Sequence, residues 1–196
     1  MIILVLGVKG VGKSTLINQL LPLVKDSQVI NFGTAMVDEA KKLGVKDREQ
    51  LSSLPMKEQR NLQAMTAKTI HDLSKQGKTV FVDTHAHYLS QKGRVILPGL
   101  PEELLSNLHP SLILLLVTEP GIIYERRMND EKKGKRHRNP ETIMEIKNVQ
   151  KLEFITATDI STDFGIPIKI LDRTGGLKEL TYQVKEVLEG IDLLKK

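Results

Sequence analysis

The sequence predicts an α/β fold built on a parallel sheet with helices on both faces. Three observations carry that expectation. Short β-rich apolar runs alternate with segments of helical periodicity along the chain. The run at residues 111–118 (SLILLLVT) is apolar without alternation, as a strand covered on both faces must be. A glycine-rich loop ending in Lys-Ser follows the first apolar run directly, where a strand hands over to a helix. With 196 residues, one compact domain is expected.

The elements follow in order. Residues 2–6 form the first strand, and a helix after the loop turns Leu16, Leu20, Leu21 and Val24 to one face. Residues 29–32 form a short second strand, and 33–43 start as a helix. Pro55 opens a longer helix, because its fixed φ suits a first helical position and its missing N–H costs nothing there. Leu62, Met65, Ile70 and Leu73 recur on that helix until Gly77 ends it. Residues 79–82 form the third strand and 111–118 the fourth. Pro120 starts a helix through Arg127, Pro140 starts another running towards Ile160, and 166–171 form the fifth strand. A last amphipathic helix carries Leu177, Leu180, Val184, Val187, Leu188 and Ile191. Three insertions interrupt the alternation, at 33–76, 84–110 and 131–140.

The loop Gly7-Val8-Lys9-Gly10-Val11-Gly12-Lys13-Ser14 matches GxxxxGK[ST] in full, between a strand and a helix. Glycines let the backbone curl so that successive N–H groups point at phosphate oxygens, and the helix N-terminus adds its positive end. Gly7, Gly10, Val11, Gly12, Lys13, Ser14 and Thr15 are therefore expected to bind ATP. Lys13 reaches the β- and γ-phosphates, Ser14 offers a hydroxyl to Mg²⁺, and Thr15 reaches towards the α-phosphate. The loop defines a broad class. A GTPase is disfavoured, because no [NT]KxD motif occurs and Thr118-Glu119-Pro120-Gly121 stands where it would lie.

The composition narrows the rest. Lys plus Arg is 29, Asp plus Glu is 24, and the net charge is +5. Seven basic and two acidic residues lie between Arg126 and Arg138, so this one stretch accounts for the whole excess. A broad nucleic-acid surface would spread its charge over a face. Only 4 % of residues are aromatic and Trp is absent, which leaves few platforms for stacking RNA bases. With no cysteine, disulfides, thiolate metal sites and a cysteine nucleophile are excluded, and the expected location is cytoplasmic. No apolar run approaches the roughly 20 residues that span a bilayer. The opening MIILVLGV lacks a basic leader segment and runs into the loop, so it reads as a strand and not a signal core.

Further positions bear on chemistry. Asp83 ends the apolar strand VFVD, where a carboxylate would face the loop and hold Mg²⁺ with Ser14, mainly through water. His85 and His87 form an HxH, but the remaining histidines show no ligand spacing, so His85 reads as a substrate-side hydrogen-bonding group and not a zinc ligand. Arg126 and Arg127 end a helix, and Arg136 and Arg138 follow across a Lys/Gly loop. Such guanidiniums neutralise a transferring phosphoryl group without losing their proton, and a lid carrying them excludes water.

Together, GVKGVGKST, NFGTAM, KDREQ, FVDTH, KGRVILPGLP, HPSLILLL, RRMND…RHRN and DRTGGL, in this order over almost the whole chain, resemble the archaeal-type adenylate kinases. The resemblance implies a three-layer P-loop kinase fold with strand order 2-3-1-4-5. It divides the chain into a core (1–32, 77–130, 140–196), a nucleoside-monophosphate lobe (33–76) and a lid (126–140). It implies Mg²⁺-dependent phosphoryl transfer, ATP + AMP ⇌ 2 ADP, and often a trimer. Lys13, Arg127, Arg136 and Arg138 are the implied catalytic residues. Gly33, Thr34, Arg48, His85 and Gly99 are implied on the AMP side, with Arg48 on the acceptor's phosphate. Arg126 is not carried over, since adjacent helical side chains diverge. Thr34 stands where familiar members carry Asp, and Lys9 where Pro is usual. The alternatives are a kinase with CMP or UMP as acceptor, and an ATP-dependent RNA or ribosome assembly factor.

Overall fold

Every side chain of β1 (Ile2–Leu6) is buried, and successive ones leave the strand on opposite sides. Ile2, Leu4 and Leu6 enter one core, Ile3 and Val5 a second. One strand thus serves two hydrophobic layers, which is why its sequence is apolar at every position. The structure, a computed structural model, describes residues 1–89, 96–132, 142–174 and 176–190, without the side chains of residues 48, 49, 52, 88 and 89.

After β1 come α1 (Lys13–Leu20), β2 (Ser27–Asn31), α2 (Phe32–Lys42), α3 (Arg48–Ser53), α4 (Met56–Ser74) and β3 (Thr79–Asp83). A hairpin of β4 (His87–Leu89) and β5 (Ile96–Pro98) follows, then α5 (Glu102–Leu108) and β6 (Leu112–Val117). The described chain is completed by α6 (Pro120–Lys132), α7 (Ile143–Phe164), β7 (Ile168–Asp172) and α8 (Leu177–Gly190). The main sheet is parallel in the order β2-β3-β1-β6-β7. With the antiparallel hairpin set aside, that is the expected 2-3-1-4-5.

The two cores divide the helices. Residues from α2, α4 and α5 join Leu4, Val80, Val82, Ile113 and Leu115 on one face. On the other, α1 and α8 cover Ile3, Val5, Phe81, Leu114 and Leu116. Glu39 ties α2 to α4, accepting from the Thr69 hydroxyl at 3.1 Å while Lys42 pairs with it at 2.8 Å. The 22-residue α7, about 33 Å long at 1.5 Å per residue, belongs to both layers. Its Ile146 lies in the second core, its Ala157 and Ile160 in the first.

Several boundaries differ from those the sequence predicts. The helix opened by Pro120 runs on through Lys132, so Arg126 and Arg127 sit within it and not at its end. The helix expected from Pro140 starts at Ile143, because Thr142 and Glu145 form a reciprocal capping box. The second strand starts earlier, at Ser27, and Asn31 then caps α2 by accepting from Thr34 N–H. The hairpin, α3 and α5 fill parts of the insertions where no element is expected. No helix among the described residues is long and apolar enough to cross a membrane.

Candidate active site

The site forms where the C-terminal ends of β1, β3 and β2 meet. Register sets Val5 opposite Asp83, and Asp83 opposite Asn31. The loop leaving β1 turns through Gly7, Gly10 and Gly12, with φ of 137°, 86° and 111°. A side chain is disfavoured at such angles. At Gly7 a Cβ would also stand 2.6 Å from the Leu116 carbonyl oxygen, so the loop lies flush against β6.

Lys13 folds back across this loop and donates to the Gly7 carbonyl at 2.6 Å. Its ammonium stands 3.7 Å from Asp83. Burial pulls its pKa below the ordinary lysine value, against the opposing pull of the Asp83 and Glu153 carboxylates. Ser14 donates its hydroxyl to Asp83 Oδ2 at 2.9 Å. The expected trio of Lys13, Ser14 and Asp83 is therefore one contiguous cluster. A hydroxyl beside a carboxylate suits Mg²⁺, which takes few protein oxygens and completes its shell with water and phosphate. Among the described residues no three His, Cys, Asp or Glu side chains gather around a metal position.

Three arginines lean over the loop. Arg127 donates from Nε and Nη2 to the Lys9 carbonyl at 3.0 and 2.6 Å. Arg126 donates to the Val11 carbonyl at 3.1 Å, and Arg173 to the same oxygen at 2.8 Å. Arg173 covers Gly12 so closely that a Cβ there would overlap its guanidinium. Partial burial and the neighbouring Arg126 charge both lower the Arg173 pKa. Arg126 thus reaches the site as fully as Arg127, although successive residues of a helix diverge; the two straddle the loop. Arg173 lies in the DRTGG segment quoted for the resemblance, where the expectation is the adenine of ATP near residues 172–176 and no separate part for this side chain. Arg136 and Arg138 lie outside the described residues, as does the Arg48 side chain; the Arg48 backbone begins α3.

On the side of β3, Thr84 and His85 lead into the Ala86 turn. Gly99 N–H donates to the Ala86 carbonyl at 2.7 Å. A Cβ on Gly99 would stand 2.3 Å from the His85 carbonyl oxygen, so the LPGLP segment is held backbone to backbone against His85. Gly33 and Thr34 lie in the first turn of α2, next to β3 through the Asn31–Asp83 register. Thr34 donates both its N–H and its hydroxyl to Asn31 Oδ1, at 3.1 Å each.

Two side chains of α7 join the site beyond those the sequence predicts. Glu153, 1 % exposed, accepts from Gly7 N–H at 3.1 Å, Ala86 N–H at 2.7 Å and His87 N–H at 3.1 Å. Burial raises its pKa, and these bonds and Lys13 oppose the rise. Gln150, one turn earlier, donates to the Thr118 carbonyl at 2.8 Å. The signal was present: Ile146, Glu153, Ala157 and Ile160 share one helical stripe, and an acid on an otherwise apolar stripe needs buried donors.

A family model described as "AAA domain" matches residues 6–147. Adenylate kinase of Pyrococcus furiosus is 34 % identical over 192 residues, covering 96 % of this chain and 95 % of its own. That of Methanocaldococcus jannaschii is 33 % identical over 199 residues, covering 99 % and 98 %. The chain belongs to the archaeal adenylate kinase family. It is a P-loop nucleotide kinase by that membership. Two solved structures share the fold at lower identity. A sugar kinase from Janibacter gives a TM-score of 0.55 at 15 % identity, covering 98 % of this chain and 94 % of its own. A putative kinase from Chloroflexus aurantiacus gives 0.52 at 18 %, covering 96 % of each.

Proposed function

We propose that this member of the adenylate kinase family catalyses ATP + AMP ⇌ 2 ADP. The observation that carries the reading is the Lys13–Asp83–Ser14 cluster at the mouth of a glycine loop, within a chain alike over nearly its whole length to adenylate kinases. ATP lies with its phosphates on the loop, and its adenine lies near residues 172–176. AMP lies between the 33–76 lobe and the Gly99 segment, with His85 in its wall and Arg48 on its phosphate. Thr15 reaches the α-phosphate of ATP.

The protein needs no covalent step. Lys13 leaves the Gly7 carbonyl for the β- and γ-phosphates, while Arg126 and Arg127 exchange loop carbonyls for phosphate oxygens as charge spreads over the transferring group. Arg136 and Arg138, on the 126–140 lid, add donors and exclude water. Ser14 and Asp83 would hold Mg²⁺, mainly through water, and the ion would supply charge neutralisation for the phosphates there.

A coupled assay with ATP and Mg²⁺ against AMP, CMP, UMP and GMP tests the reading. AMP is expected to be the fastest acceptor. A faster rate with CMP or UMP overturns the acceptor assignment, and no diphosphate from any of the four overturns the function.

A further inference from the structure

Glu153 is a buried ionisable group to which the mechanism above gives no part. It lies on α7, remote in sequence from the three amides that donate to it. Its Oε1 accepts from Gly7 N–H, the first residue of the phosphate loop, and from Ala86 N–H, in the turn that follows His85. Its Oε2 accepts from His87 N–H. One oxygen atom therefore joins the donor side of the site to the acceptor side. The same turn holds Gly99 through the Ala86 carbonyl, so the acceptor wall is attached to the same point. A carboxylate suits this position because it only accepts, and all three groups facing it donate. Gln150 fixes α7 to the end of β6 through Thr118, so the carboxylate projects from a helix that is itself anchored.

We propose that Glu153 is a positioning residue for phosphoryl transfer, setting the distance between the phosphate loop and the His85–Gly99 acceptor wall through its bridge between the Gly7 and Ala86 amides. The inference rests on the adenylate kinase reading and deepens it. In-line transfer needs both nucleotides held at one separation, and a misplacement of about 1 Å costs on the order of a hundredfold in rate. A side chain that fixes the separation contributes to turnover without touching either nucleotide. Lys13 is near enough for its charge to favour the ionised carboxylate, and Glu153 in turn favours the ammonium, so the bridge also supports the cation that meets ATP.

Two variants separate positioning from bulk stability. Glu153→Gln keeps size and one accepting oxygen, but turns a donor towards His87 N–H and removes the charge. Glu153→Met keeps the volume and removes both oxygens, leaving only a weakly accepting sulfur. The readouts are separate Kd values for ATP and AMP, the Kd of a bisubstrate analogue with two adenosines joined by five phosphates, and kcat. The affinity of a linked ligand depends on the relative placement of its two sites. ATP and AMP are each expected to bind within about threefold of wild type, while the analogue weakens by at least about tenfold more than the product of those changes. kcat should fall by about tenfold or more, further in Met than in Gln. A folded variant whose analogue loss is only that product overturns the proposal and leaves the adenylate kinase reading intact. A wild-type protein that binds the analogue no more tightly than ATP overturns that reading instead. Amide exchange in the wild-type protein needs no variant and no ligand. Gly7, Ala86 and His87 are expected to exchange with one opening rate, and independent rates overturn the bridge.

Discussion

Ser14 and Asp83 stand 69 residues apart in sequence, yet the serine hydroxyl donates to the aspartate Oδ2 at 2.9 Å. The parallel register that sets Asp83 opposite Val5 makes this contact, since the loop begins two residues after Val5. Asp83→Asn keeps an accepting oxygen for Ser14 and removes the charge that would face the metal and Lys13. kcat is expected to fall by about a hundredfold, the scale of losing one preorganised electrostatic group, with little change in Tm. Steady-state kinetics across a Mg²⁺ series checks this; a variant with wild-type kcat at every Mg²⁺ concentration removes Asp83 from the site.

Lys13→Ala should lower kcat by about a thousandfold. The fold should persist, because the ammonium is costly to bury and the variant removes that cost. Circular dichroism melting and turnover measured on the same preparation decide between loss of chemistry and loss of structure.

The lowered pKa of Lys13 gives opposite pH dependences to activity and stability. Between that lowered value and the ordinary 10.5, the folded chain holds fewer protons at this site than the unfolded chain. The Lys13 contribution to stability therefore rises with pH across the window, while the neutral amine no longer serves phosphate. We expect kcat/KM for ATP to show an alkaline limb below 10.5, with no matching loss in denaturant midpoint. A profile flat up to 10.5 contradicts the burial effect.

Gly99→Ala brings a Cβ to 2.3 Å from the His85 carbonyl oxygen, a backbone atom that no rotamer change can move. The expected cost is about 1–3 kcal/mol in stability, as for other overpacked sites. KM for the acceptor should rise severalfold while KM for ATP stays near wild type. Equal changes in both would place Gly99 outside the acceptor wall.

Arg126 and Arg127 reach carbonyls on either side of the loop tip, at Val11 and Lys9. Arg126→Ala and Arg127→Ala should each lower kcat, by about tenfold or more. Wild-type turnover in Arg126→Ala would return the role to Arg127 alone.

Much of this was legible in the sequence, for identifiable reasons. The central strands β1, β3 and β6, buried on both faces, leave apolar runs that are plain in the sequence. The edge strands β2 and β7, partly exposed, show only as shorter apolar stretches between helical segments. The loop declares itself because three glycines take backbone angles closed to other residues. The helix after Pro120 runs past the predicted end at Arg127, because the charge of Arg126 and Arg127 says nothing about where helical hydrogen bonding stops. The start of α7 is set by the reciprocal contacts of Thr142 and Glu145, a stronger signal than the nearby Pro140. Arg173 escapes a sequence reading because its contact with Val11 spans 162 residues. Glu153 shows only as an acid on an apolar stripe, which does not say that one of its donors is Gly7, 146 residues away.

The five residues of β1 act as a measuring rod. Insertion or deletion of one residue there would send each apolar side chain to the wrong layer and shift the nucleotide cradle by about 3.3 Å. Length variation among relatives should therefore gather at the hairpin and in the basic stretch and spare this strand.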